Sequence, residues 1–176
     1  MKMSEKLAAA FSEQVTKELS ASVAYLQMSA WFDSIDLPGM SSWMRIQSEE
    51  ERLHALRFMD FILDRGNMVV IGETKRPKSD FESPRAVFEA ALAQEQSTTN
   101  SIRNLYLGAT DEKDVESYPL LDWFLTEQVE EESTVQNLLG QLGHAGTDGS
   151  ALLMLDRELG ARTPAGPEGK ALGARR

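Results

Sequence analysis

Residues 48–58 read SEEERLHALRF, and within them Glu51 and His54 stand three apart in a stretch of helical period. Steps of three and four give Met40, Met44, Gln47, Glu51, His54, Phe58 and Phe61. Such a stripe is the inward seam of a helix packed in a bundle. Its centre nevertheless carries a carboxylate and an imidazole, which are costly to bury. The same count along residues 4–32 gives Leu7, Phe11, Gln14, Glu18, Ala21, Tyr25, Met28 and Phe32. A third seam is Phe88, Ala91, Glu95, Thr98, Ile102 and Leu105; a fourth is Leu121, Phe124, Gln128, Glu131, Val135, Leu138 and Leu142. Each is apolar towards its ends and ionisable near its middle.

The pattern predicts an all-α protein of four long helices. The first is expected from about Ser4, a suitable N-cap, to Phe32. The stretch DSIDLPG (33–39) reads as a break before a second helix over 40–65 that stops at Gly66. Ser83 and Pro84 are suited to open the third, which ends around Gly108 to Thr110. DEKD (111–114) is a tight connection, and the fourth helix reaches Gly143, with Pro119 in its first turns or kinking it. GTDGSALLMLDRELG (146–160) is a short fifth helix.

Connection lengths set the topology. Short links make helices one and two antiparallel, and likewise three and four. NMVVIGETKRPKSDFE (67–82) can extend to roughly 50 Å, whereas a helix over 40–65 is about 39 Å long. The second and third helices can therefore run parallel, joined by a long crossover. Its MVVI reads as a short strand-like piece packed on the bundle or on a neighbouring subunit. The expected domain spans 1–160, and 161–176 reads as a mobile basic tail, with four basic residues against one acidic.

In such a bundle helix middles meet at one level, so Glu18, Glu51, His54, Glu95 and Glu131 should converge, with Gln128 beside them. No Lys or Arg lies on the seams at that level to neutralise them. A lone glutamate at a seam position is usually a surface residue out of phase, and a lone histidine is usually a hydrogen-bonded core residue. Four helices interrupted at matching depth need protonation, water or metal to compensate the charge, and the donor types point to metal. Carboxylates with one imidazole suit Fe(II) or Mn(II), and five ligands with one carboxylate shared fit a dinuclear centre.

Composition narrows the partners. The formal charge is −10, and no basic stripe offers itself to nucleic acid. There is no cysteine, which excludes disulfides and thiolate metal sites. No apolar run approaches the ~18 residues of a membrane span, and the N-terminus meets charges too soon for a secretion signal. The expected location is the cytoplasm.

With TKELSASVAYLQMSAW, EEERLH, AQEQ and TEQVEEE in that order and spacing, the sequence resembles the ferritins, specifically the haem-free bacterial type. The resemblance covers roughly residues 4–160. Ferritin-like di-metal bundles are already known to take a Glu from two helices and Glu-x-x-His from others. The resemblance implies that Glu18, Glu51 and His54 hold one iron and Glu51, Glu95 and Glu131 the other, Glu51 bridging. It further implies that Gln128 steers oxygen or water and that Tyr25 can supply an electron. Glu50, Glu127 and Glu130 match a third iron site, with Glu131 shared. Two departures set this sequence apart from bacterioferritins: Gln128-x-x-Glu131 replaces their Glu-x-x-His, and Arg52 stands where they present a haem-ligating methionine. No haem is expected.

The resemblance implies a cage of 24 copies that takes up Fe(II), oxidises it with dioxygen or peroxide, and stores ferric mineral. One alternative is a di-iron oxidase or peroxidase acting on a small molecule. Another is a structural bundle whose buried polar network fixes helix register.

Overall fold

The computed structural model describes residues 1–163; the expected tail from 164 onward lies outside the described residues. Five α-helices follow one another: α1 (Glu5–Asp33), α2 (Pro38–Asp64), α3 (Pro84–Asp111), α4 (Tyr118–Ala145) and α5 (Gly149–Gly160). A single 3-10 turn, Val115–Ser117, precedes α4.

The helix ends follow local chemistry. Ser4 caps α1 by accepting the Leu7 N–H at 3.0 Å, and Ser83 caps α3 by accepting the Ala86 N–H at 3.2 Å. Asp148 does the same for α5, accepting from the Ser150 N–H at 2.8 Å. Gly66 ends α2 with φ +74°. Its N–H reaches the Leu63 carbonyl and the Asn67 N–H reaches that of Ile62, the paired bonds of a Schellman stop.

Some boundaries differ from expectation. α2 begins at Pro38, not Met40, because proline in a first turn forfeits only an N–H that would be unsatisfied anyway. Pro119 sits in the first turn of α4 for the same reason and does not kink it. No strand forms among the described residues, so the strand-like reading of residues 68–71 is corrected. That segment lies along α1, where the Val70 N–H donates to Ser12 Oγ at 3.3 Å and the Gly72 N–H to Thr16 Oγ1 at 2.9 Å. With side-chain acceptors for its backbone, it has no partner strand to pair with.

Side-chain contacts fix the helix directions. Ser22 and Ser48 exchange hydrogen bonds across α1 and α2, Oγ to carbonyl, at 2.7 and 2.8 Å, and Phe11 packs on Phe58, so α1 and α2 are antiparallel. Gln14 meets Ser101 and Tyr25 meets Glu95, so α1 and α3 are antiparallel. α2 and α3 are therefore parallel, as the long crossover requires. α4 opposes α2: His54 and Phe58 lie against Phe124, and Arg65 against Ser117.

Every seam residue named above is buried except Phe61, which is half-buried and stacks on Phe11. The apolar core falls into two clusters. One surrounds Phe32, Met40, Trp43, Phe88 and the inner face of α5. The other surrounds Phe11, Phe58, Ile102 and Phe124. Between them lies the ionisable layer. At the far end Arg65 ties chain segments together, pairing with Asp114 and donating to the Met1 carbonyl. Among the described residues no helix is long and apolar enough to cross a membrane.

Candidate metal centre

One helical turn separates Glu51 from His54 on α2, so both point into the bundle, and the facing helices supply the rest at the same depth. Oxygen or nitrogen atoms of Glu18, Glu51 and His54 lie within 4.8 Å of one another, and so do those of Glu51, Glu95 and Glu131. Glu51 belongs to both groups. His54 Nδ1 stands 3.5 Å from Glu51 Oε2, and the ring is held edge-on by Trp123 and Phe124.

Neutral groups surround this set. Gln14 Nε2 donates to Glu18 Oε1 at 2.8 Å, and the Tyr25 hydroxyl donates to Glu95 Oε1. Gln128 Nε2 faces the Glu95 carbonyl at 3.1 Å, Glu95 Oε2 at 3.3 Å and Thr99 Oγ1 at 3.3 Å. Gln47 Nε2 reaches Glu131 Oε2 at 3.5 Å. These donors leave Glu18 Oε2 and both Glu51 oxygens buried with no hydrogen-bond donor, unless one carboxyl itself holds a proton.

The charge imbalance appears in the acidities. Burial pushes Glu18 up from 4.5 to about 7, against the opposing effect of the Gln14 hydrogen bond. Burial pushes Glu51 well above the usual range, and the facing Glu95, Glu131 and Glu18 push it further. Glu131 is raised well above by burial and then by Glu95, Glu50 and Glu127. Glu95 is also raised by burial, in spite of the Tyr25 and Gln128 hydrogen bonds. Burial and the same carboxylates raise the Tyr25 phenol well above its ordinary value.

The sign of the stability effect follows. These carboxyls hold protons in the folded protein over a range where the unfolded chain has released them. Stability then falls as pH rises, from just above the ordinary value of 4.5 through the raised folded values. Chelator-stripped protein should therefore melt progressively lower between about pH 5.5 and about pH 8, and Zn(II) should flatten the slope by replacing the protons. Melting curves across that range test this. A melting point that rises with pH in stripped protein would contradict it.

The donor set suits metal. The unsatisfied oxygens face one another across the bundle, and oxygen with one imidazole is the chemistry of borderline-hard divalent cations. A third grouping of His54, Glu127 and Glu131 also lies within 4.8 Å. Beside it, Gln47, Glu50, Glu127, Glu130, Glu131 and Arg162 line a cavity of about 170 Å³. Glu50 is buried, Glu127 half-buried and Glu130 exposed.

All the sequence-predicted residues thus gather in or beside the polar layer, whereas Arg52 points to solvent and pairs with Glu49 at 3.0 Å. Sequence reasoning missed Arg162, whose contacts lie more than a hundred positions away. It also gave no role to Gln14, Gln47 and Thr99, although the two glutamines lie on the seams and that position was their only signal.

The family model described as ferritin-like domain matches residues 8–144. The chain is 37% identical over 161 residues to the bacterial non-heme ferritin of Staphylococcus epidermidis RP62A, covering 92% of this chain and 97% of that protein. The bacterial non-heme ferritin of Staphylococcus aureus USA300 is similar to the same extent. Among solved structures, the open pore ferritin of the hyperthermophilic archaeon Archaeoglobus fulgidus superposes with TM-score 0.91 at 40% identity, covering 92% of this chain and 100% of that one. An engineered closed form of the Archaeoglobus fulgidus ferritin gives TM-score 0.92 at 39% identity, covering 93% and 100%.

Proposed function

The chain belongs to the ferritin family, and on that premise we propose that it binds Fe(II), oxidises it and stores the ferric product within a shell of its own copies. Iron is the substrate here. Glu18, Glu51 and His54 hold one Fe(II); Glu51, Glu95 and Glu131 hold the other, with Glu51 bridging. Each ion gives up one electron, and dioxygen or peroxide accepts the pair. The observation that best supports this is the convergence, on one level of the bundle, of Glu18 Oε2 and both Glu51 oxygens, buried and served by no donor from any neighbouring residue beyond a proton they share.

The residues have distinct tasks. Carboxylates that hold protons at neutral pH must lose them as iron binds, so uptake releases protons to solvent. Gln14 and Gln47 orient Glu18 and Glu131, and Gln128 orients Glu95 and an arriving oxygen molecule or water. Tyr25, hydrogen-bonded to Glu95, is positioned to supply one further electron to oxidant that the iron pair has left part-reduced, at the peroxide level. Its proton then has an adjacent carboxylate acceptor. Glu50, Glu127 and Glu130, with Glu131 shared, form an accessory site through which ferric product leaves.

Storage needs a closed shell, and we propose one of 24 subunits in the cytoplasm. Size-exclusion chromatography with light scattering, on protein loaded aerobically with Fe(II), tests shell and retention together. The expected result is one large species that co-elutes with iron and shows no haem Soret band. A small oligomer that retains no iron would favour the oxidase alternative instead.

A further inference from the structure

Arg162 lies just beyond α5, yet its guanidinium reaches the polar layer. Nη2 stands 3.0 Å from Glu50 Oε2, Nη1 donates to Gln47 Oε1, and the guanidinium lies 5.2 Å over the Trp43 ring. Its position is set by the backbone. α5 is pressed onto α2 at Gly39 and Gly160, where the Met40 N–H donates to Asp156 Oδ1 at 2.7 Å. The Arg162 N–H closes a last turn on the Leu159 carbonyl. The result is a protein cation resting on a carboxylate that lines the cavity shared with Glu127, Glu130 and Glu131.

We propose that Arg162 is a built-in counter-cation that competes with metal for the Glu50 side of this cavity and so makes the accessory carboxylates fill after the central pair. The inference rests on the reading of Glu50, Glu127 and Glu130 as an accessory site. Two contacts carry it. The guanidinium neutralises Glu50, so an arriving divalent ion must displace a charge already satisfied. It also orients Gln47: with Oε1 occupied by Arg162, the amide turns Nε2 towards Glu131. A metal bound beside Glu131 needs an oxygen there, not an N–H donor. Departure of Arg162 frees Gln47 to turn its oxygen inward, so one displacement opens two ligand positions. The central carboxylates have no cation in such contact among the described residues: Lys17, whose charge acts on Glu18, rests on Glu13 and Ser101 instead.

Zn(II) is a redox-silent probe for this. Calorimetric titration of the full chain should find two tight zinc ions and one weaker ion per chain. In Arg162→Gln the weaker class should tighten about fivefold, the range set by losing a partly screened ion pair. Arg162→Lys, which keeps a cation on the same stem, should restore most of the weakness, and Glu50→Gln should abolish the weak class. An unchanged weak class in Arg162→Gln overturns the competition. Absence of a third class from every protein overturns it too, and takes the accessory-site reading with it. A crystal structure of zinc-loaded wild-type protein gives an independent reading. Zinc beside Glu50 with Arg162 swung away is expected; zinc there with the Arg162–Glu50 pair intact contradicts the proposal.

Discussion

Glu51→Ala and His54→Ala should each slow the first phase of Fe(II) oxidation by at least about tenfold while leaving the bundle folded. Groups that merely support a metal ligand typically cost about 10–100-fold when removed, so loss of a ligand should reach at least that range. Glu51 is the more severe case because both ligand groups share it. Its removal should not unfold the chain, since the side chain it deletes is fully buried and crowded by the facing Glu95, Glu131 and Glu18. His54→Ala leaves a gap beside Trp123 and Phe124, a packing loss separable from the chemistry by a melting curve. Stopped-flow absorbance, mixing Fe(II) with aerated protein, measures the rate. A rapid phase of wild-type speed in both variants would remove these residues from the site.

A large structural effect is expected at Gly39. A Cβ there would stand 1.8 Å from the Asp156 carbonyl oxygen, a backbone atom that cannot swing aside. Gly39→Ala must therefore lift α5 away from α2, break the Met40 N–H bond to Asp156, and expose Leu155 and Leu159. Overpacking together with the lost hydrogen bond and burial should cost about 3 kcal/mol or more. For a chain of this size that corresponds to a fall of roughly 6–12 °C in melting temperature. Light scattering should also show whether the proposed shell forms without the α5 seat. A Gly39→Ala protein that melts within about 2 °C of wild type would mean that α5 docks differently.

The same glycine illustrates where the sequence was and was not legible. In LPG the proline and glycine look like turn residues, so α2 was expected two positions late. Proline is in fact tolerated in the first turn, and the glycine answers to a helix more than a hundred residues away. Long-range demands of that kind leave no local signature. The seams did, because every helix breaks its apolar stripe at the depth where it meets the others, and that periodicity is written locally. Ser4, Ser83 and Gly66 were readable for the same reason: a cap is made within three or four residues of its own helix end. MVVI misled because strand propensity says nothing about whether a partner strand exists, and Ser12 and Thr16 took its backbone donors instead. Arg162 was unreadable from its basic, Gly- and Pro-rich surroundings, since only the docking of α5 brings it to Glu50.

We propose that the polar middle of this bundle holds two iron ions side by side. Crystals soaked with Fe(II) under anaerobic conditions and measured at the iron absorption edge test it most directly. Two anomalous peaks per chain are predicted, one in bonding contact with Glu18, Glu51 and His54 and one with Glu51, Glu95 and Glu131, both touching Glu51. Iron confined to exposed carboxylates, with no peak among these five side chains, would contradict the account.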